Sequence, residues 1–87
     1  MEYSETVRNR LRRIEGQVRG VLNMMENARD CPDVVTQLTA VRSAVDKTIA
    51  AIVVNNLETC LRRDIEQDSD TTDTVQQALE LIMRSRG

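Results

Sequence analysis

The chain has no histidine, no phenylalanine and no tryptophan among its 87 residues, and only one tyrosine, Tyr3. The lack of imidazole removes the usual general base near neutral pH and one of the two common zinc ligands. The lack of large aromatics leaves a core of Val, Ile, Leu, Met and Ala. At this length such a core is marginal for a lone chain, so oligomerisation is the expected remedy. Long apolar runs are also missing. The longest, Ile49 to Val54, is far too short to cross a bilayer. The N-terminal residues contain no apolar stretch of the secretory kind. A cytoplasmic location follows as the expectation, with no membrane partner. In that compartment thiols are kept reduced.

Proline is nearly absent, glycine is scarce, and no stretch alternates in the manner of a strand. The expectation is an all-α chain with one domain spanning residues 1–87. Val7, Leu11, Ile14, Val18, Val21, Leu22 and Met25 recur at steps of three and four. This predicts a first helix over 4–28 with Ser4 as its cap. Gly16 and Gly20 weaken it by up to ~1 kcal/mol each unless a neighbour packs closely there. Pro32 suits the first turn of a second helix capped by Asp30 or Cys31 and running to about Ile65. A helix this long suits a bundle better than a globule. A third is expected over 71–85, with Val75, Ala78, Leu79, Ile82 and Met83 on one side. Asp70 and Asp73 complement its start, and Arg84 and Arg86 its end.

Cys31 and Cys60 are the only cysteines. They fall at opposite ends of the second helix, roughly 43 Å apart at about 1.5 Å per residue. One chain cannot join them. At ~100° per residue, Val34, Leu38, Val41, Val45, Ile49, Ile52 and Asn56 share about 80° of arc, and both cysteines lie on its edge. Two copies packed antiparallel would set Cys31 opposite Cys60 of the partner subunit. The two-fold axis would then pass near Val45 and Asp46. Cys31 at a helix start gains from the local positive potential, with Arg29 adding and Asp30 opposing. A reversible redox pair, with Cys31 attacking and Cys60 resolving, is one reading. Two small buried hydrophobes is another. A metal is the chemical rival. A closed zinc site is poorly supplied by two thiols, whereas Cu(I) tolerates few thiolates. Asn56, one turn before Cys60, is a poor ligand for a soft metal.

The net charge of -2 excludes a generally basic nucleic-acid binder. The charge is uneven: residues 1–63 carry +2 and residues 64–87 carry -4. Arg8, Arg12 and Arg19 share one flank of the first helix, while Arg10 and Arg13 project on the far side. Arg42 and Lys47 add to them from the second helix. Such a display suits phosphate contact, and equally a solvated face.

The stretch from Arg10 to Gly20 resembles the opening helix of the CsoR/RcnR/FrmR family of bacterial repressors. Met24 to Glu26, Arg29 to Cys31, Gln37-Leu38, Ala40 to Ala44 and Asn56 to Leu61 extend that resemblance over nearly the whole chain. It implies an antiparallel four-helix-bundle dimer, pairing into a flat dimer-of-dimers tetramer. It also implies operator DNA as partner, contacted at Arg10, Arg12 and Arg13, with Arg8, Arg19, Arg42 and Lys47 as weaker candidates. An inducer at the intersubunit Cys site would release the DNA. Copper sensors of the family place His where Asn56 stands, Tyr where Asp30 stands and Glu where Gln76 stands. Nickel and cobalt sensors need several histidines, and formaldehyde sensors an N-terminal Pro where this chain begins Met1-Glu2. The resemblance therefore points to the persulfide-sensing, CstR-like branch. It implies a small sulfur-donor inducer, an intersubunit Cys31–Cys60 di- or polysulfide and no cofactor. A two-thiolate Cu(I) sensor is the alternative. A thiol enzyme lacks a Cys-x-x-Cys motif and a base. A helical interaction module without DNA binding would leave the arginines idle.

Overall fold

A computed structural model of the chain describes residues 2–86, with Arg86 by its backbone alone. Met1 and Gly87, the ends of the expected 1–87 unit, lie outside the described residues. So does the Arg86 side chain expected to complement the last helix. Three helices follow in order: α1 Glu5–Glu26, α2 Cys31–Glu66 and α3 Thr72–Arg86. Among the described residues there is no strand.

Local chemistry explains the boundaries. Ser4 Oγ accepts a hydrogen bond from the Val7 N–H at 3.2 Å and caps α1. Asp30 stands at the α2 cap without a side-chain capping bond, and Pro32 occupies the first turn. Asp70 Oδ1 accepts from the Thr72 N–H at 3.0 Å and from its hydroxyl at 2.8 Å, just ahead of α3. The bonds from Thr72, its hydroxyl first, hold the Asp70 carboxyl below its ordinary 3.8. α1 stops two residues before the expected Ala28, because Ala28 takes a left-handed backbone with φ of 53°. The N–H groups of Ala28 and Arg29 then bond back to the carbonyls of Met25 and Met24. α2 ends in the same way at Asp68, with φ of 55°. This is the Schellman stop, made here without glycine.

α1 and α3 each pack on α2 and not on each other. The extents are 58 × 26 × 12 Å. The smallest is about one helix diameter, so the chain is a single layer with α2 in the middle. Val7, Ile14 and Val21 face α2 and are buried, while Leu11, Val18, Leu22 and Met25 of the same apolar pattern stay exposed. A helix that touches one neighbour can bury only one edge of its stripe. Among the described residues of α3, Ala78 alone is buried. Thr74 Oγ1 donates to Asp64 Oδ2 at 2.6 Å and ties α3 to the end of α2. The buried Thr48 is satisfied by its own helix, its hydroxyl donating to the Ala44 carbonyl at 2.8 Å. Beyond the adjoining backbone of α1 itself, no described atom lies within 4 Å of where a side chain on Gly16 or Gly20 would begin. Close packing inside the chain therefore does not explain these two glycines.

The layer exposes too much surface to be complete. Its accessible area is 6900 Å² against about 5,200 Å² for a folded monomer of this mass. The radius of gyration is 17.4 Å against about 12 Å for a compact chain of this length. The excess, about 1,700 Å², is around twice what one partner contributes to an ordinary interface.

Candidate thiol site and cationic hollow

α2 is continuous from Cys31 to Glu66, so both thiols ride on one rigid element. Both are free. A disulfide needs Cα atoms within about 7 Å, and about 43 Å of helix separates these two. Cys31 is the first residue of α2 and is exposed. The Arg29 guanidinium donates to Asp33 Oδ2 at 3.2 Å. The cation expected to serve Cys31 is thus engaged elsewhere, and Asp30 remains beside it at the cap.

Cys60 is half-buried and its sulfur has two polar neighbours. Arg63 Nη2 donates to Sγ at 3.6 Å, and Sγ donates to Asn56 Oδ1 at 3.8 Å. Helical spacing explains both contacts, since residues four before and three after Cys60 share its face. Asn56, where a third ligand would stand, thus accepts a hydrogen bond from the thiol. Arg62 and Arg63 both lie near Cys60 in sequence, and the structure shows that Arg63 is the one whose guanidinium reaches the sulfur.

Between the thiols runs the expected stripe. Val34, Val41, Ile49, Ile52 and Asn56 are half-buried, and Leu38 and Val45 are exposed at 45% and 37%. α1 covers the Ala40–Ala44–Thr48 side of α2, and α3 covers the side bearing Ala50. Ile49 borders α3 and Ile52 borders α1, while Leu38 and Val45 stay open between the two helices. Leu11 of α1 and Ile52 of α2 line one hollow of about 240 Å³ with Tyr3 and Arg8. The exposed apolar edge of α1 therefore continues the stripe on the same side of the layer.

The opposite side carries the cations. Arg10, Arg13 and Lys47 line one hollow of about 380 Å³ in the α1–α2 groove, with Ser43 and Gln17. Gln17 Oε1 is buried there without a hydrogen-bond partner. The other candidates lie apart. Arg12 is held by Glu5 at 3.2 Å and Asn9 at 2.8 Å. Arg8 lies on the stripe side, Arg19 is an exposed residue on the same flank of α1, and Arg42 sits between α2 and α3 beside Asp46. The trio implied by resemblance, Arg10, Arg12 and Arg13, is thus split, and Lys47 takes the third place.

No group of three or more Cys, Asp or Glu side chains able to hold a metal occurs among the described residues. Around Cys60 the neighbours are an amide and a cation. The donor set of one chain does not fit a metal centre.

The chain is a single helical layer with a partly open apolar stripe on one side and a cationic hollow on the other. Residues 3–84 match the family model for metal-sensitive transcriptional repressors, and the chain belongs to that family. It is similar to the uncharacterised protein YrkD of Bacillus subtilis (strain 168), at 46% identity over 63 residues covering 72% of this chain and 100% of that one. It is similar to the copper-sensing transcriptional repressor CsoR of the same organism, at 32% identity over 80 residues covering 92% of this chain and 78% of that one. Among solved structures, the nickel-responsive transcriptional regulator InrS superposes with a TM-score of 0.76 and 32% identity, covering 95% of this chain and 92% of that one.

Proposed function

We propose that this chain, as one domain over 1–87, is an operator-DNA repressor that senses reactive sulfur through paired thiols. It is not an enzyme and uses no cofactor. Two copies pack their α2 stripes antiparallel, with α1 completing a four-helix bundle, and dimers pair into a flat tetramer. Each dimer then holds two sites in which Cys31 of one subunit meets Cys60 of the other. The observation carrying this reading is the partly open apolar stripe on α2 with a thiol near each end, Asn56 and Arg63 being the neighbours of Cys60.

The chemistry is thiol exchange. The Cys31 thiolate attacks the sulfane sulfur of a hydropersulfide RSSH, forming Cys31–S–SH and releasing RS⁻. The Cys60 thiolate of the partner subunit attacks the Cys31 sulfur and releases HS⁻. Two thiolates are oxidised to a disulfide while the sulfane sulfur is reduced to hydrosulfide. Longer polysulfides leave extra sulfurs in the bridge. The crosslink shifts the helices at the interface and moves Arg10, Arg13 and Lys47 out of register with DNA phosphates. Arg8, Arg12, Arg19 and Arg42 play lesser parts. A coupling of about 1–3 kcal/mol lowers operator affinity by roughly 5- to 150-fold.

The test is polysulfide treatment followed by non-reducing electrophoresis and intact-mass spectrometry. The expected product is a covalent dimer with zero or more added sulfurs, and Cys31→Ala retains DNA binding but does not respond. Persistent monomer under these conditions contradicts the crosslink. Copper- and nickel-sensing relatives keep a second reading in place, a two-thiolate Cu(I) sensor. Stoichiometric anaerobic Cu(I) binding that releases DNA, with polysulfide inert, would select it.

A further inference from the structure

Arg63 places a cation against the Cys60 sulfur at 3.6 Å. The ion pairs among the described residues are Arg12 with Glu5 and Arg29 with Asp33, so no described carboxylate lies within ion-pair distance of Arg63. A guanidinium stays charged at any pH a cell reaches. Arg63 is exposed, so a solute can approach it directly. The sulfur's other hydrogen bond among the described residues goes to the neutral amide of Asn56. The hydrogen bond from Arg63 therefore sets one positive charge directly against the Cys60 sulfur.

We propose that Arg63 is the specificity-determining residue of the sensor, selecting anionic sulfur donors over neutral disulfides and over Cu(I). This rests on the sulfur-sensing reading above. Hydropersulfides and inorganic polysulfides are anions near neutral pH, and the guanidinium concentrates them at the thiol pair. In the second exchange step the Cys60 sulfur bonds to the Cys31 sulfur of the partner subunit and the Cys31–SH bond breaks. The electron pair leaves on hydrosulfide, and the cation beside the reacting sulfurs accompanies that charge. A cuprous ion approaching the same sulfur meets a like charge and must first displace the hydrogen bond from Arg63. Asn56 offers it no soft donor in exchange.

The experiment compares full-length wild type, Arg63→Gln and Arg63→Lys, with alkylation quench and intact-mass readout. Two probes are used: sodium tetrasulfide, which is anionic, and 4,4′-dithiodipyridine, which is neutral. A unit charge about 5 Å from the incoming anion in a partly solvated site changes the rate by about tenfold. Arg63→Gln should lose about that factor with tetrasulfide and nothing with the neutral probe, and Arg63→Lys should recover most of it. Added salt should slow wild type and leave Arg63→Gln unchanged. Cu(I) should bind Arg63→Gln more tightly than wild type, and equal Cu(I) affinity overturns the selection against copper. Equal tetrasulfide rates for wild type and Arg63→Gln, or equal losses with both probes, overturn the assignment. If wild type forms no crosslink at all, the sulfur-sensing reading fails and this assignment fails with it. If wild type crosslinks and Arg63→Gln matches it, only the role of Arg63 fails.

Discussion

Val45 lies midway between the two cysteines, where an antiparallel pair of α2 helices would meet itself. In the single chain its side chain is 37% exposed, so Val45→Asp disturbs little of the layer itself. An exposed substitution of this kind costs about 0.5 kcal/mol or less. In the dimer the cost is larger. Fully burying a valine contributes about 1.5–3 kcal/mol, and roughly a third of that remains to be gained at the interface, so two copies forfeit about 1–2 kcal/mol. Two carboxylates facing across the axis add about 1–4 kcal/mol of repulsion. A total near 4 kcal/mol raises the dimer dissociation constant roughly a thousandfold. Sedimentation at several protein concentrations measures this directly. The expected variant dissociates at micromolar concentration, melts at a temperature that depends on concentration, and forms no covalent dimer with polysulfide although both thiols still react. A Val45→Asp protein with the mass, melting temperature and crosslinking of wild type would refute the stripe as the dimer interface.

Other substitutions probe the remaining surfaces. Arg10→Ala and Lys47→Ala should each weaken operator binding about fivefold and lower the salt slope by about 1, as expected when a phosphate contact is lost. Arg12→Ala should do less, because its guanidinium is already held by Glu5 and Asn9. Equal losses at the three positions, measured by fluorescence anisotropy across a salt series, would argue against the hollow as the DNA face. Ala28→Gly should stabilise the protein by about 0.5–1 kcal/mol, since alanine with φ of 53° carries a left-handed backbone that glycine adopts freely. A denaturant midpoint unchanged or lowered in that variant contradicts the strain assigned to the α1 stop.

The helices were legible because their signals are local. Ser4, Pro32 and Asp70 mark starts, and the spacing of Val7, Ile14 and Val21 marks a buried edge. The end of α1 falls two residues short of where the periodicity runs, because alanine gives no warning of a left-handed stop. The site was only partly legible. Cys31, Cys60 and Asn56 stand out as residue types. Arg63 does not, since an arginine three residues from a cysteine meets its sulfur only when its rotamer turns that way.

The order of residues alone determined that this is an all-helical chain, short of aromatics, with two thiols beyond reach of each other on one helix. It also carried the family likeness, because periodicity, caps and motifs act over a few neighbouring positions. Tertiary structure decided which faces stay open. Placing α1 and α3 on two sides of α2 leaves the thiol-bearing stripe partly open, and the groove between α1 and α2 gathers Arg10, Arg13 and Lys47 while setting Arg12 apart. Those outcomes depend on how separate helices meet, and the spacing within a single helix carries no record of its neighbours.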